Sequence, residues 1–561
     1  MKRMNERRKK RIEKNILKNR SYKVLIYNRF LLTLLLVLLQ ITIYGVMLFR
    51  FYNGFRAVMI TMDILALVFV LYVINRNEKP SAKLNWVIMI LAMPIFGISL
   101  YLLFGEGRPT RKMNRRISAA KRENAGLLIQ DAEVKRRVDE GGREAQACRY
   151  LMNYANYPAY ADGEVTYYPC GREMFKDMLE AMEGAEKFIL AEYFIIAGGK
   201  MWDAFRELLL QKAKAGVQVR LIFDDVGSLF LLPPKYDKYL EALHPNIKCF
   251  TFNPAVPVFT MRMNNRDHRK ILVVDGKVGF TGGINLADEY IDEKVKYGQW
   301  KDTGVRVTGR AVSSFTMMFF NIWNAFRKDK EKTEAFIAPE HLKEMQAADG
   351  EKAPAKIETV GKNGTHIPVE KMGKTDIAEG GFFVQPYDDS PLDRESVGET
   401  VYLDIINRAS KYVYIFTPSL ILDDFVRTAL CNAAKRGVDV RIVTPGIPDK
   451  KMVFRLTRSN YAPLLKSGVK IYEYTPGFIH AKSMVSDDTC AVVGTINLDY
   501  RSLYLHFENA VYFSHCSAVM DVKRDGEKVF DVSKYITMED TRQTFVGKLV
   551  DSVLRVFETL L

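Results

Sequence analysis

One spaced pattern occurs twice in this chain, and it limits the possible folds more than any bulk property. His268-Arg269-Lys270, Asp275 and Gly282-Gly283-Ile284-Asn285 recur as His480-Ala481-Lys482, Asp487 and Gly494-Thr495-Ile496-Asn497. In both copies His to Lys is two positions, Lys to Asp five, Asp to the first Gly seven, and Gly to Asn three. The chain holds only seven histidines, so two of them in one frame mark a duplicated unit rather than chance. The sequence around the motifs repeats as well: KAKAGVQVRLIFDD in the first copy corresponds to AAKRGVDVRIVTP in the second. A duplication with a period of about two hundred residues means two homologous domains, not a solenoid of short repeats.

Each copy has the same order of periodicities. Lys187–Phe194 reads as a strand, Trp202–Lys214 as a helix and Val217–Phe223 as a strand; Tyr412–Thr417, Asp424–Lys435 and Val438–Val443 repeat the order. Strand–helix–strand order predicts α/β layers. The expected organisation is a basic arm at 1–29, a membrane anchor at 30–105, a basic juxtamembrane connector at 106–149, a first half at 150–335, a linker at 336–380 and a second half at 381–561. The linker is rich in Lys, Glu, Ala and Gly and carries no candidate catalytic residue.

Three apolar segments precede the halves. Phe30–Phe49 is uncharged, Ala57–Asn75 is apolar apart from Asp63, and Leu84–Gly105 is uncharged but interrupted by Pro94, Gly97 and Gly105. A hydrocarbon core about 30 Å thick needs about 20 apolar residues of helix, so two or three transmembrane helices are expected. The net charge of +16 is concentrated in the arm, where residues 1–23 hold eleven Lys/Arg and two Glu. Such an excess suits an anionic membrane or nucleic acid equally. The apolar segments favour the membrane, so a multi-pass cell-membrane protein with no nucleic-acid partner is expected. The basic arm, the loop Arg76–Lys83 and the basic run Arg108–Arg122 are all expected on the cytoplasmic side, which three full spans forbid. The catalytic domain is expected there if one segment, that of Pro94 and Gly97 or Phe30–Phe49, is re-entrant or interfacial. The six cysteines are scattered without metal-ligand spacing, so neither a metal nor a disulfide framework is predicted.

Histidine can attack phosphorus and leave as a phosphoramidate, and it can move a proton near neutral pH. Two of them flanking one phosphodiester permit a two-step displacement. Lys270 and Lys482 would neutralise the non-bridging oxygens, and Asn285 and Asn497 would donate hydrogen bonds to them. This chemistry calls for no cofactor. Orienting carboxylates are expected at Asp302 and Glu508, which occupy matching places downstream of the motifs. Asp275 and Asp487 complete the motif and are carried among the catalytic candidates, although their places beside turn residues suit a structural role. His244, His341, His366, His506 and His515 lie outside the frame and are read as ordinary histidines.

These residues resemble the signature of the phospholipase D superfamily, a duplicated H-x-K-x4-D followed by G-[GST]-x-N. Within it the chain is similar to the bacterial cardiolipin synthases over roughly residues 57–335 and 380–515. The likeness extends through Asn265–Lys270, FTGGINLADEY ending at Tyr290, WKDTGVRVTG from Trp300, Gly477–Lys482, GTINLDYRS from Gly494, and Phe507-Glu508. Lys83-Leu84-Asn85-Trp86 and Tyr101–Gly105 bracket a segment like that family's membrane hairpin. Departures fall at Ile195–Gly199, at Pro418-Ser419-Leu420, in the extra segment 30–49, and after about residue 515.

The resemblance implies two phospholipase D-like α/β halves forming one pseudo-twofold catalytic unit behind transmembrane helices. It also implies transfer of a phosphatidyl group between two phosphatidylglycerols to give cardiolipin and glycerol, with membrane phospholipids as partners. His268 is assigned as the nucleophile and His480 as the acid/base, and the symmetry of the two motifs leaves the reverse order open. A hydrolytic phospholipase D, a phosphatidyltransferase with another alcohol, a nuclease and an inactive scaffold are the competing readings, and the oligomeric state is left open.

Overall fold

The computed structural model describes residues 42, 45, 56–76, 80–102, 108–254, 264–338, 341, 382–393 and 395–556. The basic arm, almost all of the apolar segment 30–49 and almost all of the linker 336–380 lie outside these residues.

Two mixed sheets dominate the chain. The first runs, strand by hydrogen-bonded strand, Val165–Tyr168, Gly304–Thr308, Val278–Gly282, Lys270–Val274, Phe188–Tyr193, Gln218–Asp224 and Ile247–Phe252. The second runs Phe383–Asp389, Glu508–Ser514, Cys490–Gly494, Ser483–Ser486, Tyr412–Phe416, Asp439–Pro445, Lys470–Tyr474 and finally Ser533–Ile536. The orders correspond strand for strand, with Ser533–Ile536 an extra edge. In each sheet three adjacent strands are parallel and the motif strands are antiparallel. Phe188–Tyr193 is buried at every position, as expected of a central parallel strand covered on both faces. The helices of the repeated segment, Lys200–Lys214 and Asp424–Lys435, each end near a glycine in the left-handed region, Gly216 (φ +103°) and Gly437 (φ +92°). A side chain there would strain the backbone, which explains the repeated Gly of KAKAG and AAKRG.

The halves share one core. Helix Val312–Phe326 has buried side chains on every face from Val312 to Asn324. It packs against the first sheet, against Phe383–Asp389 of the second, and against helix Arg108–Asn124. That last helix belongs to the expected juxtamembrane connector, yet Met113, Ile117 and Ala120 are core residues. The connector is therefore part of the catalytic body along one face. Its opposite face exposes Arg111, Lys112, Arg115, Arg116 and Arg122.

The amino-terminal helices Arg56–Ile74, Pro80–Ala92 and Pro94–Leu100 form a hairpin with a narrow buried seam of Ala66, Val70, Val73, Ile90, Ile98 and Tyr101. Ile64, Leu67, Leu71, Leu84 and Leu91 point outward and stay exposed. Gly97 permits the close approach, since a Cβ there would meet Met89 O at 2.5 Å. Among the described residues no helix is long and apolar enough to cross a membrane. In Leu84–Gly105, the segment whose Pro94 and Gly97 make it a candidate for re-entry, Met93 leaves the helix (φ −145°) before Pro94, giving helices of 13 and 7 residues. At about 1.5 Å per residue neither piece approaches 30 Å.

Candidate active site

The two motif histidines are placed by a short ladder and a single bridge that join the halves. Gly477–Ile479 pairs in parallel with Gln299–Lys301, and Asp267 forms a parallel bridge with Phe507. The backbone N–H of His480 donates to Lys301 O (2.7 Å) and that of His268 to Phe507 O (2.9 Å). Each accepting carbonyl belongs to the residue just before a carboxylate, so each half hands its acid to the histidine of the other. His268 Nδ1 lies 2.9 Å from Glu508 Oε2, and His480 Nδ1 lies 2.6 Å from Asp302 Oδ2. With a carboxylate as acceptor, Nδ1 carries the hydrogen and the Nε2 lone pair is left for chemistry.

Burial governs the electrostatics. Both imidazoles are pushed well below the usual histidine pKa, first by burial and then by the charges of Lys270 and Lys482. Burial also lowers Lys270 to about 7 and Lys482 to about 8, against the pull of Glu508 and Asp302. The same burial raises Asp302 to about 7 and raises Glu508. Lys270 Nζ donates to His268 O (2.6 Å), and Lys482 Nζ donates to His480 O, which fixes each ammonium beside its own histidine. The site thus holds two neutral nucleophilic nitrogens beside two lysines whose protons are loosely held. An anionic phosphodiester between them would favour the protonated lysines and one protonated imidazole.

Not every motif residue joins this centre. Asp275 and Asp487, carried as catalytic candidates, sit at the far ends of the motif strands with φ of +53° each. Asp275 accepts from the backbone N–H groups of Glu186, Lys187 and Phe188, and Asp487 from those of Ser410, Lys411 and Tyr412. Five residues of strand put each aspartate about 16 Å from its motif lysine. They tie the motif turn to the start of the first repeated strand, which is the structural role that their places beside turn residues suit.

The asparagines lie at the site but are partly engaged. Asn285 accepts from Ile195 N–H (3.0 Å) and donates to Tyr290 OH (2.7 Å). Asn497 donates to Asp499 (3.1 Å), and its Oδ1 is buried with no hydrogen-bond partner among the described residues. Each keeps a second amide hydrogen for a substrate oxygen.

His506, read from the sequence as ordinary, stands against the centre, its ring 5.5 Å from that of His268 and its Nδ1 3.7 Å from Glu508 Oε1. The signal was present: aligning Asp302 with Glu508 aligns Trp300 with His506, and the Trp300 ring lies 5.6 Å from His480. Phe194 meets His268 at 4.9 Å and Tyr290 meets His480 at 5.5 Å, walling both imidazoles with aromatic rings. Among the described residues His268, His506 and Glu508 are the group whose ligand atoms lie close enough to consider for a metal ion. Two of the three already form the histidine–carboxylate pair.

Comparisons with known proteins bear on the family and the fold. The family model "Cardiolipin synthase, PLD-like domain" matches residues 178–314 and 402–529, and "Phospholipase_D-nuclease N-terminal" matches 62–106. A cardiolipin synthase of Alkalihalophilus pseudofirmus is 30% identical over 91% of this chain and 94% of its own length. An uncharacterized protein of Streptococcus mutans is 40% identical over 88% of this chain and 99% of its own length. Among solved structures, a phosphatidylserine synthase of Haemophilus influenzae superposes with a TM-score of 0.53 at 15% identity, covering 74% of this chain and all of that one. That likeness concerns the fold.

Proposed function

We infer the activity from one premise: this chain belongs to the cardiolipin synthase family of phospholipase D-like proteins. It transfers a phosphatidyl group from one phosphatidylglycerol to another. The observation that carries the mechanism is the crossed pairing of His268 with Glu508 and of His480 with Asp302 around Lys270 and Lys482.

His268 Nε2 attacks phosphorus, an N–P bond forms, and the P–O bond to the headgroup glycerol breaks. Protonated His480 gives its Nε2 proton to the departing glycerol oxygen, while Lys270 and Lys482 balance the charge on the non-bridging oxygens. The terminal hydroxyl of a second phosphatidylglycerol then loses its proton to His480, its oxygen attacks phosphorus, and the N–P bond breaks. Cardiolipin and glycerol result, and both imidazoles return to their first state. Glu508 and Asp302 hold the rings and stabilise each imidazolium as it forms.

Both substrates are lipids, which fits the exposed apolar hairpin 56–102 and the basic outer face of helix Arg108–Asn124. Each such cation near an anionic leaflet contributes about 1 kcal/mol. The protein is held at the cell membrane by its amino-terminal apolar segments, with the catalytic halves on the cytoplasmic side. Incubating the purified protein with phosphatidylglycerol alone tests the reading: cardiolipin and glycerol are expected. Phosphatidic acid as the sole lipid product, or no turnover, overturns it.

A further inference from the structure

The carboxy-terminal helix Phe545–Val556 is amphipathic, and its polar side is the one packed on the protein. Arg455 Nε meets Asp551 at 2.5 Å, Arg455 Nη2 donates to Gly547 O (2.9 Å), and Arg555 Nη2 donates to Ser459 O (2.7 Å). These contacts fix the helix on the neighbouring helix Lys451–Ser459. They turn Phe545, Val546, Leu549 and Val550 outward, with Phe545 83% and Leu549 57% exposed while Asp551 is 7% exposed. At about 100° per residue the four side chains share an arc of about 140°. A helix resting on a water-facing surface normally has the opposite orientation.

The helix beneath the stripe is joined through the chain to the active site. Helix Lys451–Ser459 follows Ile447, which is itself exposed and whose N–H donates to Gly477 O at the start of the strand leading to His480. Lys450 is near enough for its charge to depress the His480 imidazole. Exposed Lys450, Lys451, Lys548 and Arg555 lie on these two packed helices and the residue before the first of them, and they give the apolar stripe basic neighbours. Apolar side chains edged by cations match the headgroup boundary of an anionic bilayer. Four side chains on one helical turn-pair are small against the roughly 1,200 Å² that stable protein pairs bury.

We propose that helix Phe545–Val556 is an interfacial foot: its Phe545/Leu549 stripe enters an anionic bilayer and sets the site rim at headgroup depth. The inference rests on the proposed lipid chemistry only for the identity of the surface. In the full chain, with Cys170, Cys431 and Cys516 changed to Ser, a bimane label on Leu549→Cys reads the contact. The vesicles hold phosphatidylglycerol and phosphatidylethanolamine brominated on the upper acyl chain. Quenching by the brominated lipid and protection from aqueous iodide are expected. A second variant, Phe545→Asp with Leu549→Asp, should raise KM for vesicle phosphatidylglycerol about tenfold, the equivalent of losing part of a buried apolar anchor, and leave kcat in mixed micelles unchanged. A label open to iodide and indifferent to bromine in an enzyme that makes cardiolipin overturns the foot alone. So does energy transfer between labels that persists on lipid dilution, which would assign the stripe to a second copy. Bromine quenching without any lipid turnover would keep the foot and remove the proposed reaction.

Discussion

Glu508 reaches His268 from a crowded half-site, whereas Asp302 reaches His480 from a sparse one. Glu508 accepts from the hydroxyls of Thr495 and Ser502, both at 2.5 Å, and has His506 beside it. Asp302 accepts from Thr303 N–H at 2.8 Å, and the position matching Thr495 is Gly283. A Cβ at Gly283 would come within 2.0 Å of Asp302 Oδ1. The shorter carboxylate sits closer to the motif backbone, so the small residue of the signature must be glycine there, while the longer one leaves space that a hydroxyl fills. The residues between His and Lys differ in the same way. Arg269 is wholly buried among Glu192, Asp267 and Asp388, whereas Ala481 packs in the apolar core. The duplication retained the backbone pairing, the acid and the imidazole, and the surroundings diverged around that fixed geometry.

Replacing either histidine tests whether the half-sites divide the labour. His268→Ala and His480→Ala should each lower turnover by about 10^4-fold or more, because nucleophile and acid act in one step. With short-chain substrate, quenched-flow mass spectrometry should find a phosphatidyl adduct on His268; an adduct confined to His480 would reverse the assignment.

The crossing of the acids is the next largest effect. Asp302→Asn should reduce kcat about 10^3-fold and perturb the NMR signals of His480 while leaving those of His268 in place. The reverse pattern would show that the acids serve their own halves. Gly283→Ala should behave like Asp302→Asn, since its Cβ displaces that carboxylate, whereas Thr495→Gly removes one hydrogen bond from Glu508 and should cost about tenfold.

Asp275→Ala separates structure from chemistry. Its buried carboxylate serves three amides, so thermal or denaturant unfolding should show a loss of about 3 kcal/mol, with kcat per folded molecule unchanged. A catalytic defect without loss of stability would restore the aspartate to the reacting centre.

The smallest effect is one of pH. Lysine is charged below its pKa and neutral above it. With Lys270 lowered to about 7 and Lys482 to about 8, the attraction for phosphate is full at acid pH and fades as pH rises through that window. KM for phosphatidylglycerol should therefore rise roughly tenfold between pH 7 and pH 9, offset in part where bound phosphate raises both lysines. Lys482→Arg, whose charge does not titrate in this range, should flatten the alkaline rise.

Much of this was legible in the chain. The duplicated spacing gave the two halves, KAKAG and AAKRG gave matching helices and glycine turns, and the histidine–lysine frames located the centre. Matching Trp300-Lys301-Asp302 with His506-Phe507-Glu508 even held the clue to His506, since a ring two residues before each acid lies against a histidine. The motif aspartates stayed among the candidates because a side chain that binds turn amides has the same frame as one that moves protons.

The amino-acid sequence by itself determined which groups exist and how often: two imidazoles, two ammonium groups, two acids, and apolar segments between a basic arm and the two halves. Tertiary structure alone decided who meets whom. Nothing in linear spacing says that Glu508 crosses 240 residues to His268, or that Asp302 crosses 178 to His480. Those meetings arise because Gly477–Ile479 pairs with Gln299–Lys301 and Asp267 bridges to Phe507, so each stretch completes backbone hydrogen bonds on the other half. An unpaired buried N–H or C=O is costly, so these pairings close between the halves and carry the acids with them.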